Sequence, residues 1–499
     1  MLFNSYEFIF AFLPITFIIY FYLNHKKLTE ASKGFLVFSS LFFYSWWNIA
    51  YLPLIISSML FNYVIGNSLN NKEGHHRFSK KLILTFGIIS NITLLGYFKY
   101  MDFFIDNINL VSDSNIPTLD LALPLAISFF TFQQISYLVD RYRHETKEYD
   151  FLNYALFVTF FPQLIAGPIV HHKEMMPQFA KTRNKVKNYR NIAMGLFIFS
   201  IGLFKKVVIA DTFAVWATAG FDTATTLNLF EAWATSLSYT FQLYFDFSGY
   251  TDMAIGIALL FNIKLPINFN SPYKATDIQD FWRRWHITLS RFLRDYIYIP
   301  LGGNRKGNFR TYNNLMSTFI LGGLWHGAGW TFVFWGFLHG LALVVHRLWQ
   351  QIGFKLNSIL AWFITFNFIN IAWIFFRAKE WEDAIKVLKG MFGFSDLIFS
   401  KSFVYIYNKT FYQLSFLMPK IKGVSSKLFI FGFETYFFII IVFFIVIKYK
   451  NSLQIVSYRD SNRNNTFTKK HLVFFSLVFL FAILNMSIST YTEFIYFNF

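Results

Sequence analysis

The sequence predicts an all-α membrane protein that crosses the bilayer many times. Of its 499 residues, 55% are hydrophobic and only 14% are charged, and the mean hydropathy is +0.40. Soluble domains carry roughly 25% charged residues. Apolar stretches long enough to span the hydrocarbon core recur along the chain, for example at 8–23, 82–100, 192–209, 361–376, 429–447 and 472–489. We therefore expect about 11 transmembrane helices, with re-entrant and amphipathic helices between them.

The charged residues predict how these helices are oriented. The first apolar stretch has neither a basic segment before it nor a small-residue cleavage site, and Lys26 and Lys27 follow it. We therefore expect a retained span rather than a signal peptide. The basic residues lie in short clusters between apolar stretches. If these clusters are cytoplasmic, the N-terminus and the C-terminal tail 491–499 lie outside the cell membrane.

Two connections are expected to differ from simple crossings. The segment 151–170 lies between two basic clusters and contains a glycine and two prolines, which favours two re-entrant half-helices over a full span. After Phe376 the chain is expected to emerge outside in a long loop that ends before Phe429. Without an internal repeat, the chain is interpreted as one membrane domain with N-terminal helices 1–150, a catalytic core with the re-entrant segments 151–346, C-terminal helices 347–490 and the tail 491–499.

Composition argues against several other classes of protein. The net formal charge of +18 is spread over many short loops, which indicates contact with membrane lipids and no nucleic-acid partner. The absence of cysteine excludes disulfides, thiolate metal sites and a cysteine nucleophile. No His-x-x-x-His pair, acidic cluster with metal spacing or Gly-x-Ser-x-Gly elbow occurs. Neither a metal, a bound cofactor nor a serine hydrolase is predicted.

One histidine lies deep in apolar sequence. His326 is part of the run GGLWHGAGW at 322–330, which apolar residues flank on both sides. Ionisable residues inside a membrane usually face a cavity, find a partner or carry function, and glycines let backbone or substrate approach closely. The run therefore predicts the floor of an intramembrane site. A hydrogen-bonded structural histidine is the alternative, and it would be preferred for a histidine without such surroundings.

Polar residues before this run are candidates for the same site. The segment 280–299 is predicted to form one amphipathic helix that contains His286, with apolar side chains on one side and a polar stripe on the other. Arg283 and Arg284 could hold a phosphate-bearing donor or simply snorkel at the membrane surface. The glycine-rich turn that ends in Arg305 could also cradle phosphate, but it lacks the spacing of a P-loop.

Gln242 and Asp246 lie one turn apart in another apolar stretch and can share a helix face. They could orient the neutral tautomer of a nearby histidine or pair with Arg283 or Arg284. An internal polar clamp between helices is an equally good interpretation.

The order of the motifs resembles a known family. The motifs are FPQLIAGPI at 161–169, the segment 244–253, DFWRRWH at 280–286, RDYIYIPLGGNR at 294–305, GLWHGAGW at 323–330 and WGFLHG at 335–340. This set closely resembles the bacterial membrane-bound O-acyltransferase (MBOAT) family, in the branch that exports acyl groups for alginate or peptidoglycan O-acetylation and for teichoic-acid D-alanylation. The resemblance implies helices around a central funnel or tunnel in the bacterial cytoplasmic (inner) membrane, with a thin partition between its two sides.

The resemblance also implies roles for individual residues. His326 matches the family's intramembrane histidine and His286 its second polar position. A neutral His326 would take the proton of a hydroxyl that attacks a thioester carbonyl. The oxyanion could accept from the backbone N–H groups of the nearby glycines, from the indole N–H of Trp325 or Trp282, or from an arginine. The implied donor is cytoplasmic acetyl-CoA. The implied partner is a separate extracytoplasmic SGNH or esterase-like acetyltransferase, which acts on the glycan acceptor.

The C-terminal tail resembles the aromatic motif of this branch, in which a terminal tyrosine is proposed to carry the acyl group. By this resemblance Tyr496 is an acyl relay that reaches His326, since a phenol needs help from a base to act as a nucleophile. An aromatic belt that anchors the last helix is an equally good alternative.

These observations predict a membrane O-acetyltransferase. Peptidoglycan is the favoured final acceptor because the richness in Phe, Ile, Lys and Asn suggests an AT-rich genome, and alginate or another exopolysaccharide is the alternative. A transporter or flippase without acyl-transfer chemistry would also need many spans and buried polar groups. A scaffold for an assembly complex accounts least well for a buried histidine among glycines.

Overall fold

Helices form the regular secondary structure of the described residues. The structure is a computed structural model that describes residues 1–70, 79–146, 150–394, 431–456, 469–488 and 495. Its first helices are α1 (Leu13–His25), α2 (Thr29–Ser45), α3 (Leu52–Asn70), α4 (Lys80–Lys99), α5 (Met101–Ser112), α6 (Ile127–Tyr142), α7 (Phe151–Thr159), α8 (Phe161–Leu164), α9 (His172–Ala180), α10 (Tyr189–Phe204), α11 (Asp211–Thr218) and α12 (Leu229–Leu260). The later ones are α13 (Ile278–Arg284), α14 (Ile287–Leu293), α15 (Gly307–His326), α16 (Trp330–Ile352), α17 (Ser358–Arg377), α18 (Trp381–Met391), α19 (Phe433–Lys448), α20 (Ser452–Ile455) and α21 (Lys469–Ile488).

Several helical stretches are long and apolar enough to cross a membrane. In the described residues there are six: Glu7–His25, Ile49–Leu69, Lys80–Lys99, Tyr189–Thr223, Trp330–Ile352 and Ser358–Arg377. A shorter apolar helix, Leu472–Ile488, lies near the C-terminus. The predicted multi-pass helical architecture is thus confirmed for the described part of the chain, while the total of about 11 spans stays a prediction.

The long helix α12 lies at the centre of the fold. Nearly all of its residues after the first turn are buried. A capping box begins it: the Asn228 side chain accepts from the backbone N–H of Glu231, and the Glu231 carboxylate accepts from the N–H of Asn228. This reciprocal pair satisfies N–H groups that the first turn of a helix otherwise leaves without partners.

Two glycine pairs bring α10 against α12. A Cβ atom on Gly195 would lie 2.6 Å from the carbonyl oxygen of Gly256, and one on Gly202 would lie 2.6 Å from that of Gly249. Small residues at such crossings allow membrane helices to approach backbone to backbone. The close approach also brings the π-helical turn Lys205–Ala210, which joins α10 to α11, next to α12.

The predicted interruption of the segment 151–170 is confirmed. The structure has two short helices there, α7 and α8, and Pro162 lies in the first turn of α8, where its missing N–H costs no helical hydrogen bond. The chain is buried from residue 154 to residue 172. Gln163 Nε2 donates to the carbonyl of Phe157 at 2.6 Å and so ties the two short helices together.

The expectation of a loop throughout 377–428 is wrong in part, because this segment contains helix α18. The side chains of Ala384, Val387 and Met391 are buried on one face of α18, and a Cβ on Gly390 would lie 2.6 Å from the Cβ of Ala232 in α12. This apolar face recurs at helical spacing, and burial against α12 stabilises it. Residues 395–430 lie outside the described part of the chain.

Candidate active site

Three buried histidines lie in one cluster of aromatic rings. His326 ends α15, His286 immediately precedes α14 and His339 lies on α16, and none is more than 3% exposed. Between ring centroids, Trp325 lies 4.8 Å from His326 and 6.5 Å from His286. Trp335 lies 5.2 Å from His326 and 4.7 Å from His339. The structure therefore brings together the two histidines that the sequence predicted and adds a third.

His326 occupies the end of α15 because the chain cannot continue as a helix after it. Gly327 follows with an extended backbone, at φ −158°, and α16 begins three residues later. A side chain on Gly323 would overlap the carbonyl oxygen of Phe332 and would lie 3.1 Å from the Cα of Gly336. The close backbone approach expected of the glycines is thus confirmed at Gly323, where α15 and α16 pack together.

The prediction of a single amphipathic helix over 280–299 is wrong. The structure has α13, α14 and a π-helical turn, Arg294–Tyr298, in its place. His286 lies between α13 and α14 with φ +39°, a left-handed conformation that residues other than glycine adopt uncommonly. This turn takes His286 out of the predicted helix and buries it against the ring of Phe247, at 4.7 Å between centroids.

Contacts with the segment 268–270 hold the break between α13 and α14. The backbone N–H of Ile287 donates to the carbonyl of Asn268 at 3.0 Å, and the N–H of Asn270 donates to the carbonyl of Arg284 at 2.9 Å. Unusual backbone conformations persist where surrounding contacts determine them, and they cluster at functional sites. The position of His286 therefore depends on tertiary contacts that helical periodicity does not reveal.

The two tryptophans predicted as oxyanion donors differ in their surroundings. Trp282 Nε1 donates to Nδ1 of His339 at 3.3 Å, so its N–H is already engaged. The indole N–H of Trp325 is buried and has no acceptor among the described residues. A buried donor without a partner costs about 1–3 kcal/mol, and a substrate oxygen that accepted from it would remove that cost. Trp325 is therefore the better candidate.

The arginines predicted to bind phosphate lie at the surface rather than among the histidines. Arg283 is exposed, and Arg284 is partly exposed, with its Nε 2.8 Å from Asp280 Oδ2. Arg305 is exposed in the turn that follows Gly303, a glycine with φ +54°. Guanidinium groups in these positions are accessible to a phosphate-bearing molecule. In the described ranges no three His, Asp or Glu side chains lie close enough together to hold a metal ion.

Asp246 belongs to a buried charge cluster between α12, the π-helical turn Lys205–Ala210 and the start of α11. Its Oδ1 lies 2.8 Å from Nζ of Lys206, which also lies 2.6 Å from Oδ1 of Asp211. Of the interpretations drawn from the sequence, the helix-to-helix clamp describes this arrangement, and the ammonium of Lys206 takes the place expected for an arginine. Gln242 is buried one turn before Asp246 on α12.

Ile495 contacts the same cluster. The backbone N–H of Ile495 donates to Oδ2 of Asp246 at 3.0 Å, and the Ile495 side chain packs against the hydrophobic core. One carboxylate thus holds a lysine and a peptide N–H of the tail. Tyr496 lies outside the described residues, so its predicted role is not tested by the structure.

A second buried ion pair lies beside the first. Nζ of Lys205 lies 2.6 Å from Oδ2 of Asp252 and 3.2 Å from Oγ of Ser452. Both charged side chains are at least nine-tenths buried, with 10% and 5% exposed. Removal of one partner leaves the other charge buried, which costs about 3–5 kcal/mol in folded proteins.

We expect Asp252→Leu to lower the melting temperature of the detergent-solubilised protein, because Lys205 then stays buried without its carboxylate. The double variant Lys205→Met/Asp252→Leu removes both charges and is expected to recover most of the loss. Thermal unfolding followed by tryptophan fluorescence measures both. Equal melting temperatures for the single and the double variant would contradict the pairing.

Three residues of this region carry no role predicted from the sequence: His339, Lys206 and Lys99. His339 and Lys206 are ionisable residues inside apolar stretches, which is the same signal that singled out His326. Lys99 ends a predicted span, and its position indicates nothing about its contacts. The structure places its Nζ 2.6 Å from the carbonyl oxygen of Trp325.

The sequence is similar to those of known proteins over much of its length. Residues 8–378 match the membrane-bound O-acyltransferase family. The chain is 58% identical over 423 residues to peptidoglycan O-acetyltransferase of Helicobacter pylori (strain ATCC 700392 / 26695), with 79% of this chain and 80% of that protein covered. It is 40% identical over 400 residues to the probable alginate O-acetylase AlgI of Pseudomonas aeruginosa, with 79% and 75% covered. It is 26% identical over 290 residues to teichoic acid D-alanyltransferase of Streptococcus thermophilus, with 50% and 68% covered.

Proposed function

The chain belongs to the membrane-bound O-acyltransferase family and is an acyltransferase, and from this premise we propose that it moves acetyl groups across the bacterial cytoplasmic membrane for the O-acetylation of peptidoglycan. The observation that carries the proposal is the buried cluster around His326, combined with 58% identity to a peptidoglycan O-acetyltransferase. The lower identity to alginate O-acetylases, 40%, makes alginate the second candidate acceptor.

In the proposed reaction His326 is the general base. Its ring takes the proton of an attacking hydroxyl while the hydroxyl oxygen bonds to the thioester carbonyl carbon of acetyl-CoA. The Trp325 N–H donates to the oxyanion that develops on the carbonyl oxygen. Collapse of this intermediate breaks the carbon–sulfur bond, and the proton passes from His326 to the leaving thiolate. General-base catalysis contributes roughly 10²–10⁴-fold. His286, whose ring centroid lies 6.5 Å from that of Trp325, holds the second polar position of the proposed site.

The acetyl donor is proposed to arrive from the cytoplasm. The exposed guanidinium groups of Arg283 and Arg305 suit the phosphates of coenzyme A. The acceptor is proposed to arrive from outside, where the N-terminus and the tail would lie. Tyr496 would receive the acetyl group there and pass it to a separate extracytoplasmic SGNH or esterase-like acetyltransferase. The hydrogen bond from Ile495 to Asp246 supports this assignment because it holds the preceding residue in the core.

Transfer from radiolabelled acetyl-CoA tests the donor and the acceptor together. Membrane vesicles that contain the protein and the extracytoplasmic acetyltransferase are expected to label peptidoglycan fragments well and alginate poorly. Vesicles without the protein are the control. Stronger labelling of alginate than of peptidoglycan would make alginate the acceptor. Labelling only from a different acyl thioester would show that acetyl-CoA is not the donor.

A further inference from the structure

We propose that Lys99 is a positioning residue for acyl transfer, because its ammonium caps the C-terminal end of α15, the helix that carries His326. The inference rests on the proposed role of His326 as the base. Lys99 is the last residue of α4, and its hydrogen bonds to α15 go to backbone oxygens. It would act on the reaction through the placement of Trp325 and His326.

The need for such a residue follows from helix geometry. The last four carbonyl groups of an α-helix have no partner inside the helix, and in α15 these belong to residues 323–326. The first of them, on Gly323, accepts a long hydrogen bond from the N–H of Gly327, at 3.4 Å. The extended backbone of Gly327 takes the chain away before a continuing helix could satisfy the other three.

Two consecutive residues satisfy those three carbonyls: Lys99, the last residue of α4, and Tyr100, its C-cap. The hydroxyl of Tyr100 donates to the oxygen of Leu324 at 2.8 Å. Nζ of Lys99 donates to the oxygen of Trp325 at 2.6 Å and to that of His326 at 3.2 Å. The final turn of α15, with a candidate base and a candidate oxyanion donor on it, is therefore held from outside by one lysine and one tyrosine.

The charge of Lys99 suits this position. The carbonyl end of a helix carries a partial negative charge of about half an electron, which a cation offsets. The ammonium also lies 3.4 Å from Oγ of Ser128 and 5.9 Å from the ring centroids of both Trp325 and Tyr100. These contacts include no carboxylate, so the ammonium is directed to the helix end. Hydrogen bonds from charged donors are also about twice as strong as neutral ones.

The first residue of α16 is also bound near the junction of α4 and α5. Nε1 of Trp330, the first residue of α16, donates to Oδ1 of Asn107 in α5 at 2.9 Å. Both sides of the interruption between α15 and α16 are thus tied to the α4–α5 corner. Loss of the Lys99 contacts would free the final turn of α15, and a displacement of about 1 Å at a catalytic group can cost roughly 100-fold in rate.

Four variants test the inference in full-length protein assayed for acetyl transfer from labelled acetyl-CoA. Lys99→Met is expected to lower kcat by roughly 10- to 100-fold while KM for acetyl-CoA changes little, because Lys99 donates to backbone carbonyls of α15 and the phosphates of the donor are proposed to bind Arg283 and Arg305. Lys99→Arg keeps the cation and is expected to recover much of kcat, whereas Lys99→Gln keeps an N–H donor without the charge and is expected not to. Tyr100→Phe removes the neighbouring hydrogen bond without changing a charge, and a small effect is expected.

The outcomes separate this inference from the proposed function. Wild-type kcat in Lys99→Met overturns the positioning role, and so does an equal loss in Lys99→Arg and Lys99→Gln. If the methionine variant does not accumulate in the membrane, the arginine and glutamine variants decide the same question. A wild-type rate in His326→Ala would overturn the general base itself, whatever the Lys99 variants show.

Discussion

Replacement of His326 by alanine is expected to reduce acetyl transfer to a small residual rate. The imidazole is the proposed base and is buried between the rings of Trp325 and Trp335, at 4.8 and 5.2 Å between centroids. No other described group of the cluster is placed on the same turn to replace it. Loss of a general base lowers the rate by roughly 10²–10⁴-fold. The initial rate of label transfer per unit of protein measures the effect.

Two controls separate chemistry from folding in this experiment. His346→Gln changes a histidine of α16 whose Nε2 lies 3.6 Å from Asp277, outside the buried cluster, and it is expected to keep the wild-type rate. His326→Gln retains a polar side chain of similar size and limits the cavity that alanine leaves. Wild-type transfer by either His326 variant would exclude the base. Flux of an acyl donor or sugar without transfer in His326→Ala would instead favour the transporter alternative.

Long helices and the central histidine could be predicted from the sequence because each depends on local composition. Spans such as 82–100 and 361–376 agree closely with helices α4 and α17, since about 20 apolar residues suffice to cross a bilayer. The sequence indicates a role for His326 because an ionisable side chain is costly in apolar surroundings. Neither prediction depends on which helices pack against each other.

The arrangement around His326 could not be predicted, because it depends on contacts between distant segments. Helical periodicity over 280–299 is real, but hydrogen bonds to residues 268–270 interrupt it at His286. The partner of Asp246 is Lys206, because glycines let α10 approach α12. Lys99 meets α15 across more than two hundred residues of sequence. A pattern confined to one segment does not contain such pairings.

Replacement of Tyr496 by phenylalanine is expected to stop acetyl transfer to the extracytoplasmic partner. The variant keeps the aromatic ring, which an anchoring belt would need, and removes only the hydroxyl that would accept the acetyl group. A phenol with a pKa of about 10 is a weak nucleophile at neutral pH and requires a base. The backbone N–H of Ile495 donates to Oδ2 of Asp246 at 3.0 Å, so the residue just before the proposed relay is held in the core.

Mass spectrometry of the protein after incubation with labelled acetyl-CoA, without a downstream acceptor, checks this directly. The wild-type protein is expected to carry one acetyl group on the tail peptide, and Tyr496→Phe none. Tyr491→Phe, at the other tyrosine of the tail, is the matched control and is expected to keep both the label and the transfer. Unchanged transfer by Tyr496→Phe would favour the anchoring belt.

The two central predictions constrain each other. If His326 activates Tyr496, His326→Ala must lose the label on the tail, whereas Tyr496→Phe leaves the base in place and loses only its acceptor. Asp246→Asn retains a side-chain oxygen for the N–H of Ile495 but removes the charge that pairs with Lys206. We expect it to lower tail labelling less than His326→Ala does. A tail that is labelled in His326→Ala would show that the tyrosine is acetylated without this histidine, and the relay would then need a different base.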